Sequence, residues 1–201
     1  MFDIPRRFTA SGLWTPRLGK VHTLLGDIAN NWQVSSIVYA QSGRPFDVWC
    51  SASFQAGCDY NADGGGNQFG GFADRPNAPA RGAVKSSFSQ HDFLNGLFSP
   101  TIFPKPAPGT DGNLSRNLYR GPRQTSTNIA LARGFQMRER AVLQFRFEAL
   151  NTFNNVNLYL PNNDLALALK ANGTFSSTSS FGKSTQAFDP RILQVSARLV
   201  F

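Results

Sequence analysis

The chain has no apolar run approaching the roughly 18 residues that a membrane-crossing helix needs, so no helix of it is expected to span a bilayer. That absence leaves strands untouched, because a barrel strand is apolar on one face only and keeps the mean hydropathy low. Charge is also scarce: charged residues make up 16% of the 201, with 20 Lys plus Arg against 12 Asp plus Glu. The resulting net charge of +8 invites a nucleic-acid reading, which requires a basic face or helix. Blocks rich in Lys and Arg are missing; Arg44, Arg75, Arg116, Arg120, Arg133, Arg146 and Arg198 are scattered. The pattern therefore argues against a nucleic-acid partner, and suits a polar barrel lumen or lipopolysaccharide phosphates.

Catalytic signatures are missing too. The two histidines, His22 and His91, have no nucleophile partner, and Glu139 and Glu148 fall on an expected turn and strand. Neither G-x-S-x-G, H-E-x-x-H nor a P-loop occurs, and Gly64-Gly65-Gly66 is followed by no helix-forming segment or Lys that would make it a phosphate cradle. The chain reads as no enzyme. Cys50 and Cys58 are its only cysteines, in a stretch rich in Gly, Asp and Asn. With no neighbouring His or second Cys pair, zinc is not indicated. In an oxidising compartment they close a small loop and in a reducing one they stay thiols; the sequence fits both. The opening Met-Phe-Asp-Ile-Pro-Arg-Arg lacks an apolar signal-peptide core, so the expectation is that Met1 is not the natural start or that the chain is a piece of something longer.

What the sequence does have is phenylalanine, 18 of them, with abundant Gly, Asn, Ser and Thr. This mixture suits strands with large polar loops. Period-two alternation recurs in five places. Leu193, Val195, Ala197, Leu199 and Phe201 oppose Gln194, Ser196 and Arg198; Leu143, Phe145, Phe147 and Ala149 oppose Gln144, Arg146 and Glu148. Weaker runs are Ile129 and Leu131 against Asn128, Ala130 and Ala132; Trp32, Val34, Val38 and Ala40 against Gln33, Ser35 and Gln41; and Phe8, Ala10 and Trp14 against Thr9, Ser11 and Thr15. A helix would scatter both sets around its circumference. The runs are about ten residues long, the length of a tilted strand crossing a bilayer and longer than the usual globular strand.

The fold expected is all-β: an antiparallel transmembrane β-barrel segment of about five to six long strands, an incomplete barrel with long extracellular loops. Strands are expected near 7–15, 31–48, 124–135, 140–153 and 190–201, and long loops over 50–122 and 154–189, the whole of 1–201 forming one barrel part. A tight turn between Phe135 and Arg140 contrasts with the long polar connections, as short periplasmic turns contrast with long extracellular loops. The connection from Pro16 to Asn31 then falls on the periplasmic side and is longer than that scheme favours. The segment Asp164 to Ala171 fits a short strand or a helical turn. Phe8, Trp14, Trp32, Phe135, Phe153 and Phe201 fall near strand ends, where interfacial aromatic girdles form. The competing reading of the same strands is a soluble β-sandwich.

Asp59-x-Asn61-x-Asp63-Gly64 matches the opening of a calcium loop, with oxygen ligands at alternate positions and a Gly for the turn. The closing Glu of an EF-hand is missing, since its position is Gly70, although Asp74 lies nearby. The two readings are an irregular extracellular Ca²⁺ site at Asp59, Asn61 and Asp63, and an Asx-rich turn.

The chain carries in order Asn31 to Ser35 (NWQVS) with Gln41 to Phe46 (QSGRPF); Asp59 to Gly64 with Asp74-Arg75-Pro76-Asn77; Asn113 to Gly121 (NLSRNLYRG); Leu143 to Phe153 (LQFRFEALNTF); and Phe181-Gly182 with Pro190 to Phe201. This ordered set resembles the C-terminal barrel of TonB-dependent outer-membrane receptors, of the Oar-like group found in Acidobacteria-type genomes. The terminal Val195, Ala197, Leu199 and Phe201 resemble the signal read by the barrel-assembly machinery, whose physical basis is strand addition to an exposed edge. The resemblance implies a barrel of about twenty-two strands, a plug domain, and TonB reached only through that plug. It further implies an outer-membrane location among lipid and lipopolysaccharide, and pairing with the remaining barrel strands of a parent protein. A secreted or surface β-sandwich for adhesion or glycan binding, and a small structural barrel, are the alternatives.

Overall fold

The computed structural model describes residues 3–16, 30–51, 57–63, 73–138 and 141–201. They form two compact units. The first, the sheet unit, comprises Pro5–Gln41, Gln124–Asn157 and Phe188–Phe201; the second, the connecting unit, comprises Met1–Ile4, Ser42–Arg123 and Leu158–Ala187.

The sheet unit is built on β1 (Arg7–Trp14), β2 (Trp32–Gln41), β5 (Gln124–Arg138), β6 (Ala141–Leu150) and β7 (Ile192–Val200). Their order in the sheet is β1-β2-β5-β6-β7, all neighbours antiparallel, and the sheet is open, with β1 and β7 at its edges. Opposed residues in such a ladder share a face. One cross-strand row is therefore Trp14, Val34, Leu131, Phe147 and Val195, and the next along β2 is Trp32, Arg133, Phe145 and Ala197. A row of opposite parity is Leu13, Ser35, Ala130, Glu148 and Gln194. The alternation within each strand is thus in phase across five strands, giving an apolar and a polar face.

Strand ends have local causes. Asn31 (φ 66°) precedes β2 and Asn151 (φ 49°) follows β6, in the left-handed region that Asn tolerates. Beyond β6, the Asn157 carboxamide accepts from Thr125 N and donates to Thr125 O, both at 2.8 Å, so a side chain pairs β5 where its neighbour has turned away. β6 consequently stops at Leu150 rather than continuing to 153. β5 runs past 135 to Arg138, with a bulge between Gln136 and Arg138.

The strand expected over 31–48 is divided. β2 ends at Gln41, and β3 (Pro45–Phe46) pairs instead with β4 (Tyr119–Arg120). Gly43 permits this: a Cβ there would run into the backbone of Gly121, whose N–H donates to Arg44 O at 2.9 Å. Phe46 and Val48 then leave the sheet pattern and are buried in the connecting unit.

Segments 50–122 and 154–189, read from sequence as loops, contribute to a unit with its own core. Phe46, Val48, Phe93, Phe103, Leu114, Tyr119, Leu158, Leu165 and Phe181 are all buried in it, and Phe98 packs its ring against Phe88, Phe103, Tyr119 and Phe181. Each fully buried Leu, Val or Phe is worth about 1.5–3 kcal/mol. Backbone bonds knit the two segments: Trp49 N donates to Asn163 O (3.2 Å) and Leu165 N to Trp49 O (2.8 Å). Asp164 to Ala171 takes the helical alternative, a 3₁₀ turn at Leu165–Leu167 capped by the Asp164 carboxylate. Helix α1 (Gln90–Asn95) is held by a capping box between Ser89 and Asp92.

Candidate functional site

The polar face of the sheet is the first functional surface. It carries Gln33, Ser35, Asn128, Gln144, Arg146, Glu148, Gln194, Ser196 and Arg198, and small Ala130 and Ala132 stand across from Glu148 and Arg146. Arg146 donates through Nε (2.9 Å) and Nη2 (2.6 Å) to Glu148 Oε1. The pair is substantially exposed, so its contribution to stability is about 0–1 kcal/mol and its effect is to order charge along the face. A hollow of about 410 Å³ lies on the sheet, lined among others by Ser11, Ser35, Asn128, Arg146 and Glu148. Sequence alternation put these residues on one face; the Arg146–Glu148 pair follows from their spacing of two along β6.

The apolar face holds one charge placed among aromatic rings. The Arg133 guanidinium lies 4.5 Å from the Phe135 ring centroid and 5.1 Å from that of Trp32. Both rings lie on the same face, so cation–π contact covers the charge where an apolar neighbour would leave it bare. Nothing in the periodic pattern pointed to this cage, because Arg133 breaks the alternation rather than following it.

Val195, Ala197 and Leu199 share the apolar face of edge strand β7, with Phe201 following at 95% exposure. Their outer backbone edge is that of the open sheet.

In the connecting unit, Cys50 and Cys58 form a disulfide with Cα atoms 5.2 Å apart. The Asp59–Asp63 turn follows directly. Asp74, buried with only 7% exposure, accepts from Tyr60 N (2.5 Å) and Asn61 N (3.3 Å) and so anchors that turn. Asn61 Oδ1 accepts from Asp63 N (3.2 Å) in an Asx turn, while its Nδ2 donates to Asp63 (3.1 Å) and to Asp111 (3.0 Å). Among the described residues no group of three or more His, Cys, Asp or Glu is arranged to hold a metal ion. Burial, with the Asp74 and then the Asp164 carboxylates, pushes the Tyr60 hydroxyl up to about 12; burial alone takes Tyr119 to about 12. Asp92 is held well below the usual carboxylate range by Lys85 and by the Ser89 N–H and hydroxyl.

Beside this turn lies a pocket that the sequence reading did not bring together as a site, lined among others by Asp47, Trp49, Asp111, Arg116 and Asn117. They come from two stretches more than sixty residues apart, Asp47 with Trp49 and Asp111 with Arg116 and Asn117, and no spacing signal links the two.

Of the catalytic-type residues considered, His91 is exposed on α1, and Glu148 is committed to Arg146. His22, Glu139, Gly64 to Gly66 and Gly70, like most of the connection from Pro16 to Asn31, lie outside the described residues.

The family model described as outer membrane beta barrel domain matches residues 1–194. No curated protein and no solved structure matches the chain.

Proposed function

Because the chain belongs to the outer membrane beta barrel domain family, we propose that it forms part of the barrel wall of a TonB-dependent transporter or receptor. Its location is the cell outer membrane. The observation that carries the reading is the in-phase partition of five strands into an apolar and a polar face, with both long connections leaving from one end. Gln41, Gln124, Leu150 and Ile192 mark that end, and residues 139–140 join β5 to β6 at the other. A wall segment needs this: lipid on one side, an aqueous lumen on the other, and loops gathered outside.

On this reading the apolar face meets lipid and lipopolysaccharide, and the polar face with Arg146, Glu148 and Arg198 lines the lumen. The connecting unit is extracellular, in the oxidising surroundings that keep Cys50 bonded to Cys58. The edges of β1 and β7 pair with further strands of the same barrel, since unpaired backbone facing lipid costs several kcal/mol per group. β7, with Val195, Ala197, Leu199 and Phe201, is the strand taken up by the barrel-assembly machinery. Contact with TonB runs through a plug carried elsewhere in the parent protein. The chain's contribution is non-catalytic: wall and loops rather than chemistry.

The test is to read the genomic DNA upstream of Met1. An in-frame continuation encoding further amphipathic strands and a plug is expected. A signal peptide immediately upstream would overturn the transporter reading in favour of a small structural barrel.

A further inference from the structure

The connecting unit contains a pocket that a wall segment does not require. Its volume is about 660 Å³, within the range of roughly 300–1,000 Å³ typical of small-molecule sites. Two of its lining residues are committed to the fold: Asp74 holds the Tyr60–Asn61 backbone, and Arg75 Nη1 donates to Leu114 O at 3.3 Å. Others present groups suited to a ligand. Asp47 accepts from Asn117 N through Oδ1, and Asp111 accepts from Asn61 through Oδ1, so each carboxylate is oriented through one oxygen and carries a second. Arg116 and the Asn117 carboxamide add planar donors, and Trp49 adds an indole.

We propose that this pocket binds a neutral oligosaccharide. The chemistry of the lining decides the class. Carboxylates and guanidinium groups line one space, so an anion meets Asp47, Asp74 and Asp111, while a cation meets Arg75 and Arg116. An anion is therefore disfavoured, and a cation gains only one carboxylate in excess while meeting two guanidinium groups. A neutral sugar gains from both, because each hydroxyl donates and accepts, and adjacent hydroxyls match the paired atoms of a carboxylate, carboxamide or guanidinium. Its C–H face suits an indole, which offers a large apolar surface at low entropic cost.

The pocket is also organised in advance. Trp49 immediately precedes Cys50, and Cys58 immediately precedes the turn bearing Asn61, so the disulfide ties the indole's segment to the turn that orients Asp111. Cys50 N donates to Asp74 O (2.8 Å), fixing a third lining segment to the same point. Such preorganisation lowers the ordering cost of binding. This inference is independent of the transporter reading: it concerns binding and requires no passage.

The test is isothermal titration and tryptophan fluorescence of the full chain in detergent micelles against maltohexaose, cellohexaose, xylohexaose, mannohexaose and chitohexaose, with inorganic phosphate and glycylglycine alongside. At least one hexaose is expected to bind with a Kd of about 1 mM or tighter, a range usual for weak small-ligand sites. Trp49→Ala and Arg116→Ala are each expected to weaken it about tenfold or more, as loss of a stacking surface or a charged hydrogen bond does. Trp49→Phe is expected to keep most of the affinity. Arg116 is exposed, so its variant reports on the site even where Trp49→Ala fails to fold. Binding of phosphate or the dipeptide in place of every hexaose would overturn the proposal, as would failure of all five to bind, or binding indifferent to Arg116→Ala.

Discussion

Arg133 shows how one residue is accommodated on a face that otherwise selects for apolar side chains. A lipid-facing cation costs about 0–1 kcal/mol near the interface, where Trp32 at the start of β2 and Phe135 near the end of β5 place Arg133, and cation–π contact returns about 0.5–2 kcal/mol. The rings of Trp32 and Phe135 therefore offset the cost. Arg133→Met is expected to change stability by no more than about 1 kcal/mol, while Trp32→Ala, which strips the cover and leaves the charge, lowers it by about 1–2 kcal/mol. Guanidinium unfolding of the folded protein in micelles measures both; an Arg133→Met variant as unstable as Trp32→Ala would show that the guanidinium has another partner that matters more. A second expectation belongs to Tyr60 and Tyr119. Their folded-state values, about 12, lie above the ordinary value near 10. The unfolded chain thus releases these protons first as pH rises, so the stabilisation is complete below about pH 10 and is lost between about 10 and 12. Alkaline melting followed by tyrosinate absorbance should show this loss, and Tyr60→Phe with Tyr119→Phe should reduce it.

At the scale of elements, β7 is the strand whose removal is most informative. Deleting Phe201 from the parent protein is expected to lower the amount of heat-modifiable protein in outer-membrane fractions; an unchanged amount would mean that Phe201 is an interfacial anchor and nothing more. The five long strands were legible because apolar and polar residues alternate, unbroken in Leu143 to Ala149 and Leu193 to Phe201 and with lapses such as Ile37 and Arg133 in the others. Where the alternation continued for another reason, the reading overshot. Phe46 and Val48 extend the parity of β2, yet their burial serves the connecting unit, and the handover depends on the close approach of Gly43 to Gly121. The core of that unit was not legible. Its residues, from Phe93 and Phe103 to Leu165 and Phe181, follow neither a period of two nor of 3.6, because irregular chain places each side chain by tertiary contact alone. The pocket was hidden for the same reason: Asp47, Asp111 and Arg116 become neighbours only through the fold. The segment Asp59 to Asp63 was visible as an Asx-rich motif, but the anchoring by Asp74 was seen only as proximity in sequence.

For the whole molecule, an open sheet sets the limit of what the chain does unaided. Single-chain bacterial barrels have at least about eight strands, against the five of this sheet. Purified and added to planar bilayers, the chain is expected to give no stable conductance steps; steady single-channel steps would show that copies complete a barrel among themselves. The interlocking of the two connections has a further consequence, in time rather than in space. Leu158, Leu165 and Phe181 belong to the same core as Phe46 and Val48, and Trp49 bonds to Asn163 and Leu165 across more than half the chain. Closing so long a loop is slow, and contacts of this separation form late. The segment from Ser42 to Arg123 therefore stays incomplete, with Phe46, Phe93 and Phe103 uncovered, until Leu158 to Phe181 have packed against it. During that interval its apolar side chains are open to aggregation, and a chain ending at or before Asn157 would leave them so indefinitely.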